Sequence, residues 1–326
     1  MKTIVKILLG LLALIVAFII VMLSYVKFGL PKVGDPPDLQ VEMTPERLER
    51  GEYLAWYGAG CIDCHSLRDP SVYSMPLVPG REGAGGFRFS HEVGFPGVMY
   101  SPNITPAGLG DWTDGEIFQA ITAGVDNEGN ALFPVMPYHD YAKMDKEDIY
   151  SIISYIRTLD PIESQIPERE LDFPLGLIVN LMPEEHELPA MPDPSDQVAY
   201  GEYAANAAGC IHCHTTQDDR GMMIPELLLA GGNEYPLPTG GIVRSPNLTP
   251  DEVTGIGKWT EEAFLMRFKI YSDSSVVLPE VRDGDMNTVM AWTLYGKMKE
   301  EDLRAIYRYI QSVKPLTNEV VRFTPP

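Results

Sequence analysis

Cys61-Ile62-Asp63-Cys64-His65 and Cys210-Ile211-His212-Cys213-His214 contain all four cysteines of the 326-residue chain. The order Cys-x-x-Cys-His is the signature of covalent c-type haem attachment. On a helical turn, residues i, i+3 and i+4 share one face, so two thiols reach the haem vinyl groups while the following imidazole reaches the iron. The pentads predict two covalently bound haem c groups, held by Cys61 and Cys64 and by Cys210 and Cys213, with His65 and His214 as iron ligands. A zinc site or a thioredoxin-like dithiol also uses paired cysteines, but neither accounts for a histidine after both pairs.

Outward from the pentads the chain repeats itself. Gly51-Glu52-Tyr53 precedes the first pentad as Gly201-Glu202-Tyr203 precedes the second, and Ser101-Pro102-Asn103-Ile104-Thr105-Pro106 returns as Ser245-Pro246-Asn247-Leu248-Thr249-Pro250. Trp112-Thr113 returns as Trp259-Thr260, and Met136 to Met144 matches Met290 to Met298 at a constant offset of 154. The expected organisation is a haem domain over 40–161, a connector over 162–197 with six prolines, and a second haem domain over 198–316.

Residues 1–32 form a separate object. Lys2 and Lys6 precede 20 residues, Ile7 to Val26, that are long and apolar enough to span a bilayer core as a helix. A signal peptide usually has a shorter apolar region and ends in a small-x-small cleavage site, which Ser24 to Gly29 lacks, so a retained membrane anchor is expected. Thioether formation takes place outside the cytoplasmic membrane, which puts the haem domains in the periplasm. From Val33 onward the chain has 21 basic and 46 acidic residues, a net charge of −25. That field argues against nucleic acid as a partner and suits a basic redox protein.

Thr44 as N-cap with Pro45 at the first helical position predicts a helix leading to the first pentad, and its counterpart starts near Ser195 or Asp196. Short helices follow the tryptophans, over Asp114–Ala123 and Glu261–Ile270. Each half closes with its most periodic helix, Ile149, Ile152, Ile153, Ile156 and Leu159 in the first, and Leu303, Ile306, Tyr307, Ile310 and Val313 in the second, stopped by Pro161 and Pro315. Leu175 to Met182 reads as one short packed helix in the connector.

Only two methionine pairs recur. Met136 and Met290 lie in irregular loops, where a thioether can be aimed at iron, whereas Met144 and Met298 directly precede helix caps and suit a hydrophobic staple. Met136 and Met290 are the chosen distal ligands, with Met286 a local competitor. His139 has Thr293 as its repeat partner, which argues against a ligand role shared by both halves, and His91 and His186 have no counterpart, so a surface role or one supporting a ligand from behind is expected of them. Trp112 and Trp259 suit either a haem propionate contact or a core position. The Asn-x-Thr triplets at Asn103 and Asn247 read as turns beside the haem, not as glycosylation sites.

The order Gly-Glu-Tyr, Cys-x-x-Cys-His, Ser-Pro-Asn-x-Thr-Pro, Trp-Thr, Met-Pro-Tyr and a final Tyr-Ile-Arg-Thr-Leu helix resembles the multihaem cytochrome c subunits of membrane-bound bacterial alcohol and gluconate dehydrogenases. The resemblance implies two tandem class I cytochrome c domains, so that with the apolar run the chain is expected to be all-α, an N-terminal transmembrane helix followed by those domains, and it carries the iron-ligating methionine onto Met136 and, by the repeat, Met290. Those subunits typically hold three haems and a C-terminal anchor; this chain has two pentads and an N-terminal apolar run. The implied function is single-electron transfer between a respiratory or dehydrogenase donor and an oxidase or cytochrome acceptor, with no catalytic residue of its own. Two other readings share the haem content: a dihaem peroxidase, which needs an open iron, and a dihaem subunit of a terminal oxidase.

Overall fold

The computed structural model describes residues 2–218, 220–273 and 275–326. A long apolar run without proline, Gly10 being its one glycine, makes α1 (Lys2–Phe28), 27 residues and about 40 Å long. None of its residues is buried, and by length and composition it fits a membrane anchor or a signal sequence. Near its end the Asn180 side chain donates to the Val26 carbonyl at 3.1 Å.

The first half comprises α2 (Pro45–Tyr53), α3 (Cys61–Cys64), α4 (Pro106–Leu109), α5 (Asp114–Ala123), α6 (Tyr138–Tyr141) and α7 (Lys146–Ile156). After α8 (Leu175–Ile178) the second half repeats the series as α9 (Gln197–Ala207), α10 (Cys210–His214), α11 (Glu261–Lys269), α12 (Trp292–Tyr295) and α13 (Glu300–Ser312). The predicted caps form: Thr44 accepts from Arg47 N, Asp145 from Glu147 N and Asp196 from Ala199 N. The closing helices end at Ile156 and Ser312, short of the prolines, but Leu159 and Val313 still pack on the core from the turns beyond. Ile149, Ile152, Ile153 and Ile156 are buried in the first half, as are Leu303, Ile306 and Ile310 in the second.

In each half the first and last helices cross at a glycine. A Cβ on Gly51 would lie 1.9 Å from the Ser151 carbonyl oxygen, and one on Gly201 would lie 2.0 Å from that of Ala305. No other residue fits so close an approach.

The helix-rich expectation holds, but the all-α description does not cover two small antiparallel sheets. β1 (Arg88–Phe89), β2 (Gly97–Tyr100) and β3 (Glu170–Leu171) form one in that order; β4 (Glu234–Pro236), β5 (Ile242–Arg244) and β6 (Phe323–Thr324) form the other. Strands of two to four residues in Gly-Pro-rich sequence leave no alternation to detect. β3 and β6 both follow the last helix of their half, so the structural repeat runs past Pro161 into the connector.

The halves dock through a reciprocal exchange of tyrosines. The Tyr203 hydroxyl, from α9, donates to Asp148 on α7 at 2.7 Å, and Tyr53, from α2, donates to Asp302 on α13. Each phenol oxygen also accepts a backbone N–H from the foreign helix start, Asp145 N to Tyr203 and Lys299 N to Tyr53. Each aspartate is completed from within its own half: Arg50 grips Asp148 at 2.8 and 2.6 Å, and Tyr200 donates to Asp302 at 2.7 Å. Burial, followed by the carboxylate beside it, pushes each of the Tyr53 and Tyr203 pKa values well up, so both stay donors.

Removing a donor from a buried carboxylate costs about 2 kcal/mol. Tyr53→Phe should destabilise by about that much, and Tyr203→Phe by about half of it, because Asp148 keeps a charged bidentate partner while Asp302 keeps one phenol. Denaturant unfolding of both variants checks the order; equal costs would mean that Arg50 contributes nothing to holding Asp148.

Candidate haem pockets

Each pentad begins after a glycine in the left-handed region, Gly60 at φ +67° and Gly209 at φ +71°, from which the chain turns directly into α3 or α10. All four thiols are free; Cys61 and Cys210 are half-buried and Cys64 and Cys213 exposed. Burial pushes the Cys61 thiol up to about 12.

The histidines are aimed by backbone. His65 Nδ1 lies 2.8 Å from the Pro102 carbonyl and His214 Nδ1 lies 3.0 Å from that of Pro246. With its Nδ1–H donated, each imidazole presents the Nε2 lone pair as its ligand atom. Both rings are buried, which holds their pKa values down, that of His214 to about 4, so they are neutral at pH 7. A neutral, oriented imidazole next to two free thiols fits the proximal side of a c-type haem.

The Ser-Pro-Asn-x-Thr motif holds that carbonyl in place. Asn103 Oδ1 accepts from Thr105 N and Oγ1 at 2.9 and 2.8 Å, and Asn247 from Thr249 N and Oγ1 at the same distances. Asn103 Nδ2 donates to the Ile162 carbonyl and Asn247 Nδ2 to that of Leu316, tying the loop to the chain just after the closing helix. Both asparagines are buried, which removes them as sugar acceptors. From the other wall, Tyr141 donates to the Ala59 carbonyl at 2.8 Å and Tyr295 to that of Ala208 at 2.7 Å, pinning the approach to each pentad. Sequence reasoning aligned these tyrosines and prolines without giving them roles; their signal was the repeat itself.

Met136 and Cys61 both border the first core, and Met290 and Cys210 the second. Met144 and Met298 are buried as core filler, whereas Met286 is 44% exposed. The loop carrying Met290 is clasped by the first half. The Ser74 hydroxyl donates to the Met290 carbonyl at 2.7 Å and accepts from Trp292 N, while Asn287, buried, accepts from Ser74 N and donates to the carbonyls of Pro70 and Val72. His212, inside the second pentad, turns away to meet Asp140 of α6 at 3.2 Å. Burial works against ionisation of Asp140, but hydrogen bonds from His212 and Lys143 prevail and hold its carboxyl below the usual range. The tryptophans do not behave alike: Trp112 packs at the edge of the first core, while Trp259 is 38% exposed.

No protein-family model matches the chain. It is 29% identical over 284 residues to an alcohol dehydrogenase (quinone) cytochrome c subunit of Gluconobacter oxydans, covering 82% of this chain and 54% of that one. It is 28% identical over 285 residues to a gluconate 2-dehydrogenase cytochrome c subunit of Pantoea cypripedii, covering 82% and 59%. A diheme cytochrome c-type protein of Cereibacter sphaeroides is 28% identical over 291 residues, covering 86% of this chain and 90% of that one. The chain thus spans about half the length of the dehydrogenase subunits it matches and nearly all of the dihaem protein. The resemblance read from the motif order holds over most of the chain.

Asn247→Ala should cost about 2 kcal/mol, since it leaves the N–H of the fully buried Thr249 without its partner, while the Leu316 carbonyl keeps only the Thr249 hydroxyl. Thermal unfolding gives the cost. A loss below about 0.5 kcal/mol would show that the motif does not anchor its loop.

Proposed function

We propose that this chain is a membrane-tethered dihaem cytochrome c that passes single electrons between a dehydrogenase or respiratory donor and a cytochrome or oxidase acceptor, with its two haem domains, 40–161 and 198–316, in the periplasm. The observation that carries the reading is the duplicated, carbonyl-oriented histidine following each Cys-x-x-Cys pair. Cys61 and Cys64 would hold one haem with His65 and Met136 at its iron; Cys210 and Cys213 would hold the other with His214 and Met290. Bound haem supplies an iron centre that exchanges one electron. The protein orients the imidazoles, Met136 and Met290 would supply soft thioethers that favour reduced iron, and the two cores would exclude water.

His212, inside the second pentad, meets Asp140 of α6 at 3.2 Å, which packs the second attachment site against the first half. That supports direct passage between the haems. The dehydrogenase subunits among the relatives favour a dehydrogenase donor, and the Asn180 contact to α1 supports a retained anchor over a cleaved signal.

Intact mass and haem-stained denaturing gels should show two covalent haems per chain. Met136→Ala and Met290→Ala should each abolish one Met-to-iron charge-transfer band, lower one potential and open one iron to carbon monoxide; Met144→Ala and Met298→Ala should instead cost about 2–5 kcal/mol of stability and leave the spectrum intact. One haem or none by mass would overturn the reading. Ready carbon monoxide binding and peroxide turnover by the native protein would put a peroxidase in its place.

The net charge makes a second prediction. Electron exchange with a basic small cytochrome should slow across a salt series in stopped-flow mixing, as screening shortens the field to about 8 Å at physiological ionic strength. A rate independent of salt would remove charge from partner choice.

A further inference from the structure

Three side chains with no part in either haem pocket converge where the connector passes α6. His139 lies three residues after Met136; Glu184 and His186 come from the connector. Their ligand atoms all lie within 4.8 Å of one another. The two imidazoles meet edge to face, ring centroids 5.8 Å apart at 79°. Among the described residues none of the three side chains hydrogen-bonds another, and Nε2 of His186 is buried with no hydrogen-bond partner at all. An orphaned ring nitrogen of this kind is costly and calls for an occupant.

We propose that His139, Glu184 and His186 form a binding site for one divalent transition cation of the zinc class. Two imidazoles and one carboxylate are borderline donors that suit zinc and its neighbours; magnesium and calcium require oxygen ligands. Donors about 2.1 Å from a tetrahedral ion stand about 3.4 Å apart, so the trio needs only a modest contraction. Glu184 is exposed, which leaves one side for a water ligand. His139 is held towards its neutral, ligating form by burial and by His186, against the opposite pull of Glu184 and Asp140, while Lys143 adds to the neutral side. Among the described residues the site occurs once, and the repeat places Thr293 where His139 stands. A cation held here would staple the connector to α6, one peptide bond beyond Pro137.

The test uses the full-length holoprotein in detergent, stripped with chelator and dialysed against zinc alone, with metal content read by mass spectrometry. One equivalent should be retained, and His139→Thr, the residue the second half uses, should weaken it at least tenfold, as should His186→Ala and Glu184→Gln. His91→Ala, at the exposed His91–Asp172 pair, should leave it unchanged. With cupric ion as probe, nitrogen hyperfine structure should report two imidazoles in the native protein and one in either histidine variant. An unaltered haem spectrum in each variant shows that it is folded. Zinc retention equal in native and His139→Thr or His186→Ala protein, or no retention by the native protein, would overturn the site without touching the haem assignment, which the intact mass tests separately.

Discussion

With no side chain between α2 and α7 at Gly51, or between α9 and α13 at Gly201, the first and last helices of each half meet backbone to backbone. Everything else is placed by that contact. It brings the chain on to the left-handed glycine that opens each pentad, and it sets Arg50 beside Asp148 and Tyr200 beside Asp302 in the first turns of the closing helices. Only in that arrangement can an aspartate in the first turn of α7 or α13 receive a tyrosine from the other half. The exchange is intramolecular, yet it has the form of an isologous dimer contact, in which the same surface serves on both sides. The cores follow suit: Tyr200, Tyr203 and Ala207 of α9 join the first core, and Tyr57 borders both.

Much of this was legible because spacing carries chemistry. Two pentads singled out His65 and His214, which the fold buries and orients, the 154-residue offset paired Met136 with Met290, and helical periodicity found α7, with its Asp145 cap, and α13. What stayed hidden depends on backbone or on partners far apart in sequence. The carbonyls that orient His65 and His214 belong to prolines 37 and 32 residues away and have no side-chain signature. Tyr53 and Tyr203 stood out as repeated residues, but no pattern within one half says that each will bind the other half's aspartate. The two sheets were missed because each strand is shorter than the period needed to recognise it. His139 and His186, read singly, looked like surface residues; their convergence with Glu184 exists only once the connector is folded back on α6.

The two halves have also diverged in how they satisfy the same need. Asp148 is neutralised by Arg50, while at the equivalent place Asp302 relies on Tyr200. A charged bidentate grip and a phenol give the two helix starts unequal strength, although their geometry is shared. Duplication fixed the positions, and later substitution changed the chemistry that occupies them.

The clasp between Ser74, Asn287 and the Met290 loop runs in one direction only, from the first half to the second. Its consequence concerns biogenesis. Among the described residues no side chain of the second half hydrogen-bonds the loop over 133–137 that carries Met136, whereas the loop that carries Met290 is set against a wall from earlier in the chain. Synthesis from the amino terminus makes that wall before the segment that packs on it, so the order of synthesis and the order of assembly coincide. A chain with its halves transposed would keep both pentads and every repeat motif, yet would present the dependent loop first, with nothing to fold against.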